Sequence, residues 1–163
     1  MGEEPQIENR LQETTSRFHV GRKIRSLLRV VPNEHLVGLD KIIIVDEIKD
    51  KKRKRIGGLY HPRHDKQPCT IEIGFNSIYG GMPKVFFFLP FAAKFTLADT
   101  LYHEIGHHYH HKFVHGITKK RREDFADDYS KKMLKKAFFW WLILLWPITP
   151  LIKYMAKVVN KER

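Results

Sequence analysis

Residues 103–111 read HEIGHHYHH, and no other stretch restricts the fold as much. On a helix, side chains four residues apart leave the same face one turn apart. His103 and His107 can therefore offer two imidazole nitrogens to a single zinc ion. Helical geometry turns Glu104 about a quarter turn from His103 and about a sixth of a turn from His107. It lies beside such a metal without binding it, where a general base for water is needed. A catalytic zinc site wants a third protein ligand, and the segment 123–127, EDFAD, supplies one. Glu123 completes a His₂Glu set with the fourth position left for water. Asp127, four residues on, shares its face and can accept the free N–H of a ligating imidazole, which we assign to His103. The helix that carries HEIGH must then pack beside the helix that carries EDFAD.

A metzincin would continue with glycine at 110 and histidine at 113, but the chain has His110 and Phe113. HEIGH followed by EDFAD instead resembles the HExxH plus ExxxD arrangement of the gluzincins, the zinc metallopeptidase group that includes thermolysin. It is closer still to the compact minigluzincin type, whose second motif reads ExxAD, matched here by Ala126. The resemblance spans roughly residues 41 to 135 and includes the order IGGLY, TIEIGF, loop, active-site helix. It implies a peptidase that holds Zn²⁺ through His103, His107 and Glu123, with Glu104 as base and a peptide or protein as substrate. It also implies that the strand before the active-site helix lies at the cleft edge and pairs with substrate backbone. That expectation makes Ile71, Glu72, Ile73 and Gly74 substrate-binding residues. The family's oxyanion-stabilising Tyr or His is not fixed by a motif; Tyr109, His115, His61 and Tyr129 are the candidates. We read His108, His110, His111 and His115 as solvated or outer-layer residues, with His111 the alternative ligand if Glu123 fails.

The remaining pattern gives an α+β fold. Helix-like spacing of Leu11, Phe18, Ile24, Leu27 and Leu28 predicts an N-terminal helix over about 8–31, interrupted at Gly21 and ended by Pro32. Strands are expected at 41–48, 56–60 and 70–75, with the basic run KDKKRKR (49–55) as a hairpin tip. Thr96 and Thr118 are the expected caps of the two helices that carry the motifs. The architecture is thus an N-terminal helix, a small mostly antiparallel sheet, an HExxH helix, a ligand-bearing helix and a hydrophobic C-terminal segment. At 163 residues the chain suits one domain, 1–136, followed by the segment 137–163. The single cysteine, Cys69, excludes an internal disulfide and reads as a small buried residue in a reducing compartment. MGEEPQIENR has neither a basic n-region nor an apolar h-region, and Gln6 breaks the myristoylation pattern, so an intracellular, cytoplasmic setting is expected.

A net charge of +12 favours anionic partners, either nucleic acid or an acidic membrane surface. The run AFFWWLILLWPITPLI (137–152) is uncharged, contains all three tryptophans and is flanked by lysines on both sides. As one helix it would reach about 24 Å, short of a hydrocarbon core of roughly 30 Å, and Pro147 and Pro150 would kink it. We read it as an interfacial or re-entrant anchor on an anionic membrane surface; the alternatives are a buried closing helix or an oligomer contact. KKRKR (51–55) and VFFFLPFAA (85–93) are read first as a charged turn and as core. A functional alternative to the peptidase is a metallopeptidase-like module that binds nucleic acid or membrane, with zinc structural or absent. Its binding would survive loss of Glu104.

Overall fold

Sheet order follows from where the continuous β-branched run falls. In the computed structural model, which describes residues 4–11, 19–49, 55–64, 67–80, 90–113 and 118–141, the KIIIV strand β2 (Lys41–Val45) is flanked on both sides. It pairs with β1 (Gln6–Asn9) and β6 (Thr70–Gly74), and β6 pairs in turn with β5 (Gly58–His61), giving the order β1-β2-β6-β5. Both of its ladders are parallel, and strands in parallel sheets are commonly covered on both faces; Ile42, Ile43 and Ile44 are all buried. A two-residue pair, β3 (Ile48–Lys49) with β4 (Arg55–Ile56), forms the base of the hairpin expected around the basic run. Residues 50–54 of its tip lie outside the described residues.

The class is α+β, as expected, but the four-stranded sheet is not mostly antiparallel. β1–β2 and β2–β6 are parallel, and only β5–β6 is antiparallel. Parallel neighbours need long connections, and the chain supplies them: α1 (Val20–Leu28) and α2 (Asn33–Leu36) lie between β1 and β2, while the short α3 (Phe75–Tyr79) follows β6. The N-terminal helix accordingly starts at Val20 rather than near Glu8. Residues 6–9 are drawn into the sheet, where Ile7 sits opposite Ile42 and Glu8 reaches Lys41 at 3.8 Å.

α1 buries Val20, Ile24, Leu27 and Leu28, a stripe at i, i+4, i+7 and i+8. Across the β2–β6 ladder, Ile42 faces Ile71 and Ile44 faces Ile73. These four join Ile24 and Leu27 of α1 and Leu97, Leu101 and Ile105 of α4 (Pro90–Phe113) in one core, all at most 1 % exposed. Tyr102 is fully buried among them and donates its hydroxyl to the Leu27 carbonyl at 3.0 Å. α4 begins six residues before Thr96, so Thr96 is not its cap. Its hydroxyl bonds back to the Ala92 carbonyl at 3.2 Å, the usual option for a threonine inside a helix. α5 (Lys119–Ala137) follows, with Thr118 at the N-cap position but without a side-chain cap bond. Tyr129 and Met133 are buried and Phe125 is partly so, the expected stripe. Among the described residues no helix is long and apolar enough to cross a membrane. The expectation for 142–152 lies outside the described residues.

Candidate metal centre

α4 turns Leu97, Leu101 and Ile105 into the core, which leaves His103 and His107 on the opposite rim, half-buried. α5 approaches that rim because neither helix has bulk at the crossing. A Cβ on Gly106 would lie 2.9 Å from the Ala126 Cα and 3.2 Å from its carbonyl oxygen, and Ala126 is itself fully buried. The glycine of HEIGH and the alanine of EDFAD therefore set the helix separation.

At that separation the expected ligands converge. His103 Nε2 and His107 Nε2 are 3.1 Å apart, and Glu123 Oε2 lies 3.6 Å from the first and 3.4 Å from the second. Zinc bonds of about 2.0–2.2 Å in tetrahedral geometry place ligand atoms roughly 3.3–3.6 Å apart. The donor set, two imidazoles and a carboxylate with no sulfur, suits zinc chemically as well. Among the described residues, these three are the group of His, Cys, Asp and Glu side chains close enough to share an ion. Asp127 Oδ1 lies 3.0 Å from His103 Nδ1, on the ring edge away from the shared point. A carboxylate there fixes the tautomer that leaves Nε2 free to ligate. Burial, then His103, holds the His107 imidazole below its ordinary range, in the neutral form a metal requires.

Glu104 is buried beside this group but does not belong to it. Its carboxylate is pressed against β5: a Cβ on Gly58 would lie 2.7 Å from Glu104 Cγ and 2.8 Å from its Oε1. Only glycine permits that approach. Burial is the largest influence on the carboxyl and raises it to about 7; His103 and the backbone N–H of Tyr60 pull it down, and Glu123 pushes it up.

A cleft of about 560 Å³ opens over Glu104, bounded by Gly58 and Tyr60 of β5, His111 of α4 and Arg122 of α5. The assignment of TIEIGF as the cleft-edge strand is overturned. β6 is paired on both sides, by β2 and by β5, so its backbone has no open edge. Ile71 and Ile73 are buried in the core, Gly74 donates its N–H to the Gly57 carbonyl at 2.8 Å, and Glu72 faces His61 at 3.5 Å. The edge strand at the cleft is β5. The oxyanion candidates are also displaced. Tyr109 stacks on Phe125, with ring centroids 6.1 Å apart, and the Tyr129 hydroxyl meets His35 Nδ1 at 2.8 Å, both in an aromatic cluster away from the cleft. His61 is occupied with Glu72, and His115 lies outside the described residues.

Sequence reasoning gave His111 only as an alternative ligand, whereas it borders the cleft beside the ligand set, and it missed Tyr60 and Arg122. Tyr60 is two residues from Gly58 on the same strand face, so spacing could have found it. Nothing distinguished Arg122 within KKRR. Of the histidines read as solvated or outer-layer residues, two are buried rather than solvated. His108 contacts Cys69 Sγ at 3.5 Å and the Val37 carbonyl at 3.3 Å, and His110 packs edge-on against Phe125. Cys69 is buried, as expected. The chain matches no known family model, no curated protein and no solved structure.

Proposed function

We propose that this chain is a zinc-dependent metallopeptidase of gluzincin type that hydrolyses peptide bonds in peptide or protein substrates. The observation that carries this reading is the donor triangle of 3.1, 3.4 and 3.6 Å made by His103, His107 and Glu123. His103, His107 and Glu123 would hold the ion, and Asp127 would orient His103. Zinc, when bound there, acts as a Lewis acid toward water and the scissile carbonyl. Glu104 is the general base: it takes a proton from the attacking water and delivers it to the leaving amine. Its burial supports this role, since a carboxyl raised to about 7 is matched to proton transfer near neutral pH. Gly58 and the Tyr60 amide hold that carboxylate in place. The edge of β5 that is unpaired among the described residues takes extended substrate as an added strand, and Tyr60, His111 and Arg122 line the cleft beside it. The buried, unpaired Cys69 supports an intracellular setting.

The test compares the zinc-loaded full chain with Glu104→Gln on a mixed peptide library read by mass spectrometry. The reading expects equal zinc in both and cleavage at least about 100-fold slower in the variant. Equal cleavage by both proteins, or none by zinc-loaded wild type, overturns it.

A further inference from the structure

The end of the molecule formed by the C-terminal half of α5 and the start of α4 has no part in the metal site, yet its surface is unusual. Lys131, Lys132, Lys135 and Lys136 are all exposed and occupy two successive turns of one helix face. Just past the end of α5 at Ala137 come Phe139, 54 % exposed, and Trp140, 78 % exposed. Lysines and aromatics line one groove of about 940 Å³. Its one acid, Asp128, is tied to Lys131 at 3.2 Å. Beneath the rim, Phe91 packs on Phe138 at 5.2 Å and on Trp141 at 5.4 Å, which fixes the aromatic end against α4. Of the six large apolar side chains exposed among the described residues, four (Phe95, Phe139, Trp140 and Trp141) sit at this end, so the exposure is a patch rather than scatter.

We propose that this end is a docking surface for an anionic lipid bilayer. The aromatics enter the headgroup region, where amphipathic rings are favoured, and the lysines lie one to two turns behind them, facing lipid phosphates. Lysine suits this role because its stem lies along apolar surface while the ammonium stays at the polar boundary. The occupant is a membrane rather than nucleic acid because the aromatic stripe runs directly into the uncharged sequence 142–152. Nucleic acid would call for charge distributed along its track. The inference does not depend on the peptidase reading, since none of these residues borders the metal centre.

The full chain is tested by co-sedimentation with vesicles of phosphatidylcholine mixed with phosphatidylglycerol, against phosphatidylcholine alone. Every tryptophan lies within 140–146, so intrinsic emission reports on this end. We expect binding to the anionic vesicles with a blue shift in emission. Replacing the four lysines by glutamine should weaken binding on the order of 1000-fold. The double variant Phe139→Ala, Trp140→Ala should weaken it by about tenfold or more. All six positions are exposed, so both variants should keep the wild-type circular dichroism. Equal binding to neutral vesicles, indifference to both variants, or binding to duplex DNA that persists in the aromatic variant overturns the proposal.

Discussion

Gly106→Ala sets two effects of opposite sign against each other. Inside a helix, alanine is favoured over glycine by about 0.8–1.0 kcal/mol, so propensity alone makes the variant more stable. The structure opposes that gain, because the new methyl would stand 2.9 Å from the Ala126 Cα, 3.2 Å from its carbonyl oxygen and 3.2 Å from Tyr129 Cβ. Ordinary carbon contacts lie at about 3.5–4.0 Å, and a backbone atom cannot rotate away, so α5 must retreat by roughly half an ångström or more. Overpacking of this kind costs about 1–3 kcal/mol. The net expectation is a loss of up to about 2 kcal/mol, or a Tm lower by up to roughly 8 °C in a chain of this size. The same retreat carries Glu123 away from His103 and His107, and metal sites tolerate only about 0.2 Å in their bonds. Glu123 is half exposed and can follow in part, so zinc affinity should fall by about tenfold rather than vanish. Thermal unfolding in chelator and competitive zinc titration read the two effects separately. A Tm that rises with zinc affinity unchanged would refute the argument that Gly106 and Ala126 set the site.

Asp127→Asn should weaken zinc binding by about 10–100-fold while Asp124→Asn leaves it unchanged; equal effects in a zinc titration would remove Asp127 from the centre. Gly58→Ala pushes directly on Glu104 Cγ and Oε1; we expect zinc content to hold while kcat drops about 10–100-fold, and an unchanged kcat would contradict the close approach of β5. Burial holds His35 below the ordinary imidazole value of 6.5, so the unfolded chain takes up its proton first. Its contribution to stability is therefore present above 6.5 and lost as pH falls through the folded value. Urea unfolding above and below that pH should show a steeper acid loss for wild type than for His35→Gln, and matching losses would show that His35 is not the group responsible.

The candidate metal centre was legible because its spacing is local. His103 with His107, and Glu123 with Asp127, each need only one helical turn, and Gly106 and Ala126 are visible within the same two motifs. What brings the motifs together could be read as well, since the third ligand forces the second helix alongside the first. Strand order was not legible. TIEIGF alternates as a half-buried strand should, but alternation is identical for a central strand and an edge strand, and the pairing of β6 with β2 and β5 is long-range. Residues 6–9 were equally hidden as the edge strand beside β2. Those residues look helical only if the periodicity beginning at Leu11 is extended backwards. Tyr109 and Tyr129 show the same limit: closeness in sequence makes both phenols candidates for the site, whereas the fold uses their rings against Phe125 and His35. Gly58 lies in a stretch whose sequence signals only a strand, although its purpose lies on α4, 46 positions away, where it makes room for Glu104.

The account rests on one ion held by two helices, and X-ray absorption at the zinc edge on the full chain, with the metal content measured in parallel, examines it most directly. One zinc per chain is expected, with two imidazole nitrogens at about 2.0–2.1 Å and oxygen at about 2.0–2.2 Å, and no sulfur. Glu123→Ala should remove one oxygen and lower the occupancy. Metal-free protein after exposure to zinc, or a first shell that is unchanged by loss of Glu123, would contradict the central claim.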